Sequence, residues 1–118
     1  MVMLGGGLGS VCRYGVSQLS LRLLSGRYPF GTLAVNIVGS FVIGFLFTCA
    51  ERRLVPDALR LLLITGFLGG FTTFSAFTLE SIKLFSNGQP LLSVLHILIH
   101  IVCGLAAVCL GILVAGRV

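Results

Sequence analysis

Between Thr72 and Thr78 the chain reads Thr-Thr-Phe-Ser-Ala-Phe-Thr, hydroxyls interleaved with phenyl rings, directly after Gly69, Gly70 and Phe71. Phe74 and Phe77 are i,i+3 neighbours on a helix, so both rings fall on one face. A phenyl ring has a positive edge, and rings met edge-on attract an anion without offering water a strong hydrogen bond. Packing against a neighbouring helix is the other use of such a pair. Consecutive glycines and β-branched threonines are poor helix-interior residues, so an interruption is expected near residues 69–73. A helix unwound at membrane depth must line a cavity or find partners for its freed carbonyls, which commonly hold a small cation.

Five further polar positions stand in apolar surroundings. Asn36 is an amide with two N–H donors, able to coordinate a dehydrated anion or to bond a neighbouring helix. Gly39, Ser40 and Gly44 follow it and permit close helix approach. Arg13 is a cation in mid-segment, expensive there by about 2.5 kcal/mol or more, which points to a vestibule or to snorkelling, with an anionic partner expected in either case. Glu80 shares a helical face with Thr73 and Phe77, and is either an ion contact or the partner of Lys83 three residues on. His96 and His100 lie one turn apart with Cys103 beyond them. That face lacks the fourth ligand and the acidic neighbours of a soft-metal site, and a polar track is the better reading.

The elements that position these residues follow from composition. Of 118 residues 57% are hydrophobic and 9% charged, and mean hydropathy is +1.13, whereas an average soluble domain is about one-quarter charged. At roughly 20 apolar residues per crossing the chain holds about four membrane spans and no separate soluble domain. They are expected at about 3–24, 30–50, 57–85 and 91–115, separated by the turn Ser25 to Pro29, the stop Glu51-Arg52-Arg53 with Pro56, and the turn Ser86 to Pro90. The third is longer than one crossing needs, which agrees with a break inside it.

The net charge of +5 is scattered at apolar boundaries and forms no nucleic-acid stripe. The four cysteines have no CxxC or zinc spacing and read as small buried hydrophobes. The glycine-rich start leading into Arg13 is unlike a cleavable signal peptide, so the N-terminus is expected to be retained. Four spans put Arg52, Arg53, Arg60 and Arg117 on one side against Arg22, Arg27 and Lys83 on the other. Such balance favours insertion in both orientations.

Three stretches, Gly5 to Tyr14, Gly31 to Phe41 and Gly66 to Phe77, together resemble the fluoride channels of the CrcB/Fluc family. The most specific part is Gly69-Gly70 with Thr72-Thr73-Phe74-Ser75 and Phe77. The resemblance implies an all-α integral membrane fold of four transmembrane helices, the third broken, pairing as an antiparallel, dual-topology homodimer. It also implies two narrow fluoride pores and a sodium ion at the dimer centre. By position Phe74 and Phe77 look like the pore-lining phenylalanines, Asn36 like the pore asparagine and Arg13 like the vestibule arginine. Ser75 and Thr78 look like hydroxyls near the rings, and Gly69 and Thr72 like the carbonyl donors for sodium. With Glu80 and His100 these residues make up the expected ion path. Ala76, His96 and His100 depart from the family pattern, standing where many relatives carry hydroxyl side chains. Gly104 and Val108 offer no side-chain donor at the next two turns.

The function expected is passive, non-enzymatic export of fluoride across the inner membrane, relieving its toxicity. Fluoride enters acidified cells as neutral HF and dissociates inside, so membrane potential suffices to expel it. No Walker A motif is present. A small multidrug exporter would place an acidic residue where the first span carries Arg13. A non-conducting assembly protein would show no ion flux.

Overall fold

The computed structural model describes residues 1–118 and is entirely helical. Helix α1 spans Val2–Leu23 and α2 spans Phe30–Glu51. The third segment starts as α3 (Asp57–Arg60), continues as a π-helix (Leu61–Leu68) and α4 (Gly69–Phe71), and resumes after a two-residue break as α5 (Phe74–Ser86). Helix α6 is Pro90–Ala115, with proline in its first turn, where its missing N–H costs nothing. Three segments are long and apolar enough to cross a membrane: Phe30–Glu51, Asp57–Ser86 and Pro90–Ala115. Helix α1 matches them in length, but Arg13, Arg22 and its glycines dilute its apolar character.

Only 18 of 118 residues are buried, and apart from His96, Val35, Cys49, Leu68 and Leu84 they are glycine, alanine, serine or threonine. The large apolar side chains point outward, as in a protein whose solvent is hydrocarbon and whose helices meet through small residues. Helix α2 packs most extensively on α6, and α1 on the π-helix. A Cβ at Gly44 would overlap the Val108 carbonyl, and one at Gly111 the Phe41 carbonyl, so the α2–α6 approach requires glycine on both helices.

The break differs in detail from the sequence expectation. The glycine pair remains helical, and Thr72 (ψ 158°) and Thr73 (φ −152°, ψ 120°) are the extended residues. The reason is packing: a Cβ at Gly70 would overlap the Gly6 carbonyl, so this glycine lets α1 come close instead of unwinding its own helix. The Leu68 carbonyl accepts from the Thr72 N–H at 3.0 Å and from Thr72 Oγ1 at 2.8 Å, closing the upstream helix. Thr73 Oγ1 accepts from the Ala76 N–H at 3.2 Å and caps α5.

Candidate ion path

The break forms the floor of a cavity of about 440 Å³ between α2, the third segment and α6. Asn36, Gly69, Thr72, Phe74, Phe77 and His100 all line it. Arg13, Ser75, Thr78 and Glu80 do not.

Asn36 bridges α2 to the unwound backbone. Its Nδ2 donates to the Thr73 carbonyl at 2.9 Å, and its Oδ1 accepts from the Thr73 N–H at 2.8 Å. One amide thus satisfies both main-chain groups of an extended residue, and its second N–H is left available to the cavity. In a continuous helix the Thr73 N–H would return to the Gly69 carbonyl. Here that carbonyl is without its helical donor. Gly39 keeps α2 close to this point, since a Cβ there would overlap Thr72 Cγ2.

Phe74 is 75% exposed at the rim, and its ring centroid is 5.6 Å from that of Phe77. Phe77 turns inward, with its ring 4.5 Å from His100 and 5.5 Å from His96. The two imidazoles meet edge to face at 4.3 Å. Three buried polar atoms along this column, His100 Nε2, His96 Nε2 and Glu80 Oε2, have no hydrogen-bond partner. Each unpaired buried polar group costs about 1–3 kcal/mol, which makes the column a place suited to a polar guest.

Two expectations are corrected. Glu80 forms no ion pair with Lys83; it turns inward, where Oε1 accepts from Thr32 Oγ1 at 2.5 Å and Oε2 lies 3.7 Å from His96 Nε2. The packing of α5 on α6 and its contact with α2 bring the carboxylate to these groups, while Lys83 is exposed. Arg13 is half-buried without an anionic partner, because all three acidic residues lie on other elements. The hydroxyl positions divide: Ser75 is exposed with Oγ 3.3 Å from Thr73 Oγ1, and Thr78 Oγ1 donates to the Ser75 carbonyl at 3.0 Å.

Two participants were not anticipated. Thr32 is one helical turn before Asn36, so i,i+4 spacing would have placed it on the same face. Tyr28 bonds His96 across 68 residues of sequence, its hydroxyl 2.8 Å from Nδ1. Nothing in the local pattern of a turn indicates that contact.

An all-helical chain with outward apolar side chains, small residues between its helices and a polar column beside a broken helix has the make-up of a membrane-embedded protein. Residues 1–112 match the family described as CrcB-like protein, Camphor Resistance (CrcB), and the chain belongs to that family. It is 51% identical over 115 residues to the "Fluoride-specific ion channel FluC" of Rhizobium etli (strain CIAT 652), covering 97% of this chain and 92% of the relative. The protein of the same name from Agrobacterium fabrum is 50% identical over 113 residues, 95% of this chain and 90% of its own. That from Parabacteroides distasonis is 40% identical over 118 residues, 100% and 92%.

Proposed function

We propose that this chain is a passive, fluoride-selective channel acting as an antiparallel homodimer in the inner membrane. The observation that carries the reading is the gathering of Asn36, Phe74, Phe77 and His100 round one cavity at the helix break. An amide N–H and positive ring edges suit a small, dehydrated anion at close range. Ring edges offer water little, so a hydrated cation finds no replacement for its shell. The names of the relatives, fluoride-specific ion channels, agree with this chemistry.

In this reading α1 is the fourth crossing: its 22 residues, at 1.5 Å each, are long enough for a hydrocarbon core of about 30 Å. The near-balanced Lys/Arg distribution supports insertion both ways, and the highly exposed Phe74 ring is the kind of surface a second copy would cover. Arg13 belongs to a vestibule. Ser75 and Thr78 serve beside the rings, and Glu80 lies further along the path. The Gly69 and Thr72 carbonyls fit a sodium ion as hard oxygen donors, the first freed from its helical N–H. Together with those of a second copy they would hold it, and its charge would fix the helix breaks to one another.

Fluoride and chloride efflux from liposomes containing only this protein tests the proposal. Rapid fluoride loss with little chloride loss is expected. Equal fluxes, or neither, would overturn it.

A further inference from the structure

Tyr28 belongs to the turn between α1 and α2, yet its hydroxyl reaches a wholly enclosed side chain, His96, whose relative exposure is 0%. The phenol ring stands edge-on to the imidazole at 5.3 Å, and Phe30 packs edge-on against the phenol at 4.7 Å. The second ring nitrogen, Nε2, faces Glu80 Oε2 at 3.7 Å, and neither atom has a hydrogen-bond partner. That gap is too long for a direct hydrogen bond and too short for a water bonded to both atoms. The other oxygen of this carboxyl group already accepts from Thr32 Oγ1, and a bare nitrogen lone pair turned toward Oε2 would be repelled, so hydrogen on Nε2 is the arrangement that fits the geometry.

In a neutral imidazole Nδ1 is then the acceptor, and the only group within reach to satisfy it is the Tyr28 O–H. Burial, reinforced by the Glu80 carboxylate, raises the Tyr28 phenol above its ordinary pKa, so the hydroxyl keeps its proton. The remaining titratable neighbour is His100, whose Nδ1 donates to the His96 carbonyl at 3.0 Å and whose Nε2 is thereby a lone pair. It offers no hydrogen bond to an anion. Along the column past Phe77, His96 Nε2–H and Thr32 Oγ1–H are thus the side-chain donors near Glu80.

We infer that Tyr28 is a positioning residue of the ion path: by donating to Nδ1 it fixes the Nε2–H tautomer of His96, so that a neutral imidazole presents a hydrogen-bond donor to fluoride beyond Phe77. This rests on the channel reading above. The tautomer matters because an imidazole with hydrogen on Nδ1 would turn a lone pair toward both the carboxylate and the passing anion.

The test is a double-mutant cycle in liposome fluoride efflux, made from Tyr28→Phe, His96→Gln and the pair. A glutamine amide carries its N–H donors whatever lies at its other end, so it has no tautomer to lose. Tyr28→Phe is expected to slow efflux at least about fivefold beside His96 and less than about twofold in the His96→Gln background, by the coupling expected of residues acting through one another. Equal losses in both backgrounds, as a packing role predicts, would overturn the inference and leave the channel reading standing. No fluoride efflux from the native protein would overturn both. A second measurement does not depend on folding of any variant: ¹⁵N chemical shifts of histidine-labelled native protein should show His96 protonated at Nε2. Hydrogen on Nδ1 would overturn the inference.

Discussion

Asn36→Ala separates a helix-break clamp from a bystander. The native amide makes two hydrogen bonds to Thr73, at 2.9 and 2.8 Å, and no other group is bonded to either main-chain atom. Alanine leaves one N–H and one C=O unsatisfied, each worth about 1–3 kcal/mol when buried, or about 2–6 kcal/mol together. Thr73 is buried, but the adjoining cavity of about 440 Å³ is large enough for water, so the lower end of that range is expected. The thermal midpoint in detergent should therefore fall by several degrees. Fluoride efflux should fall further than the stability loss explains, because the free amide N–H facing the cavity disappears as well. Asn36→Asp is the informative companion. It keeps an acceptor for the Thr73 N–H but sets a second acceptor oxygen against the Thr73 carbonyl, so it should be no more stable than the alanine variant while its negative charge repels the anion and stops efflux. An alanine variant as stable as the native protein, conducting equally well, would refute the role of Asn36 in both break and path.

Phe74→Leu and Phe77→Leu preserve apolar volume and should cost under about 1.5 kcal/mol of stability; efflux measured on protein eluting as native should nonetheless drop steeply, because leucine lacks the positive ring edge. Cysteine labelling of a loop position in cells should reveal both orientations in the membrane, and a single orientation throughout would end the dual-topology proposal. Gly44→Ala should destabilise by about 1–3 kcal/mol through overpacking, since its methyl group meets the Val108 carbonyl and α2 must move away from α6. The check is the melting temperature in detergent, with Gly104→Ala, whose nearest neighbour is 3.7 Å away, as the milder comparison.

Punctuation made the helices legible. Pro29 and Pro56 precede helices, Pro90 opens one, and glycine, serine and charged residues end them, because a chain in hydrocarbon has few other places to leave a backbone group unpaired. The neighbourhood of the break was legible for the same reason, but its register was not. Whether a glycine unwinds a helix or admits a neighbour depends on what lies opposite, and opposite Gly70 lies the Gly6 carbonyl. The spacing of Phe74 and Phe77 predicted a shared face, and their rings do lie 5.6 Å apart. Spacing could not reveal that one ring would be exposed and the other turned against two imidazoles. For Glu80, local spacing offered Lys83, while the structure supplies Thr32 and His96 from two other helices. Partners distant in sequence leave no periodic trace.

These long-range partners bear on how a path can be selective without holding its ion tightly. Conduction needs sites favourable enough to enter and weak enough to leave. At the break the Asn36 oxygen and one of its N–H groups are spent on Thr73, so that only a single amide donor faces the cavity. Further along, the Thr32 hydroxyl is already donated to Glu80, and an anion would have to compete with that carboxylate for it. His96 Nε2 faces the same carboxylate at a distance too long to be satisfied. Each donor on the route is thus either single, shared or strained in its partnership. In the channel proposed above none of them would surround an ion as a closed cage would, and a chain of such partial offers would attract fluoride at each step while leaving it free to take the next.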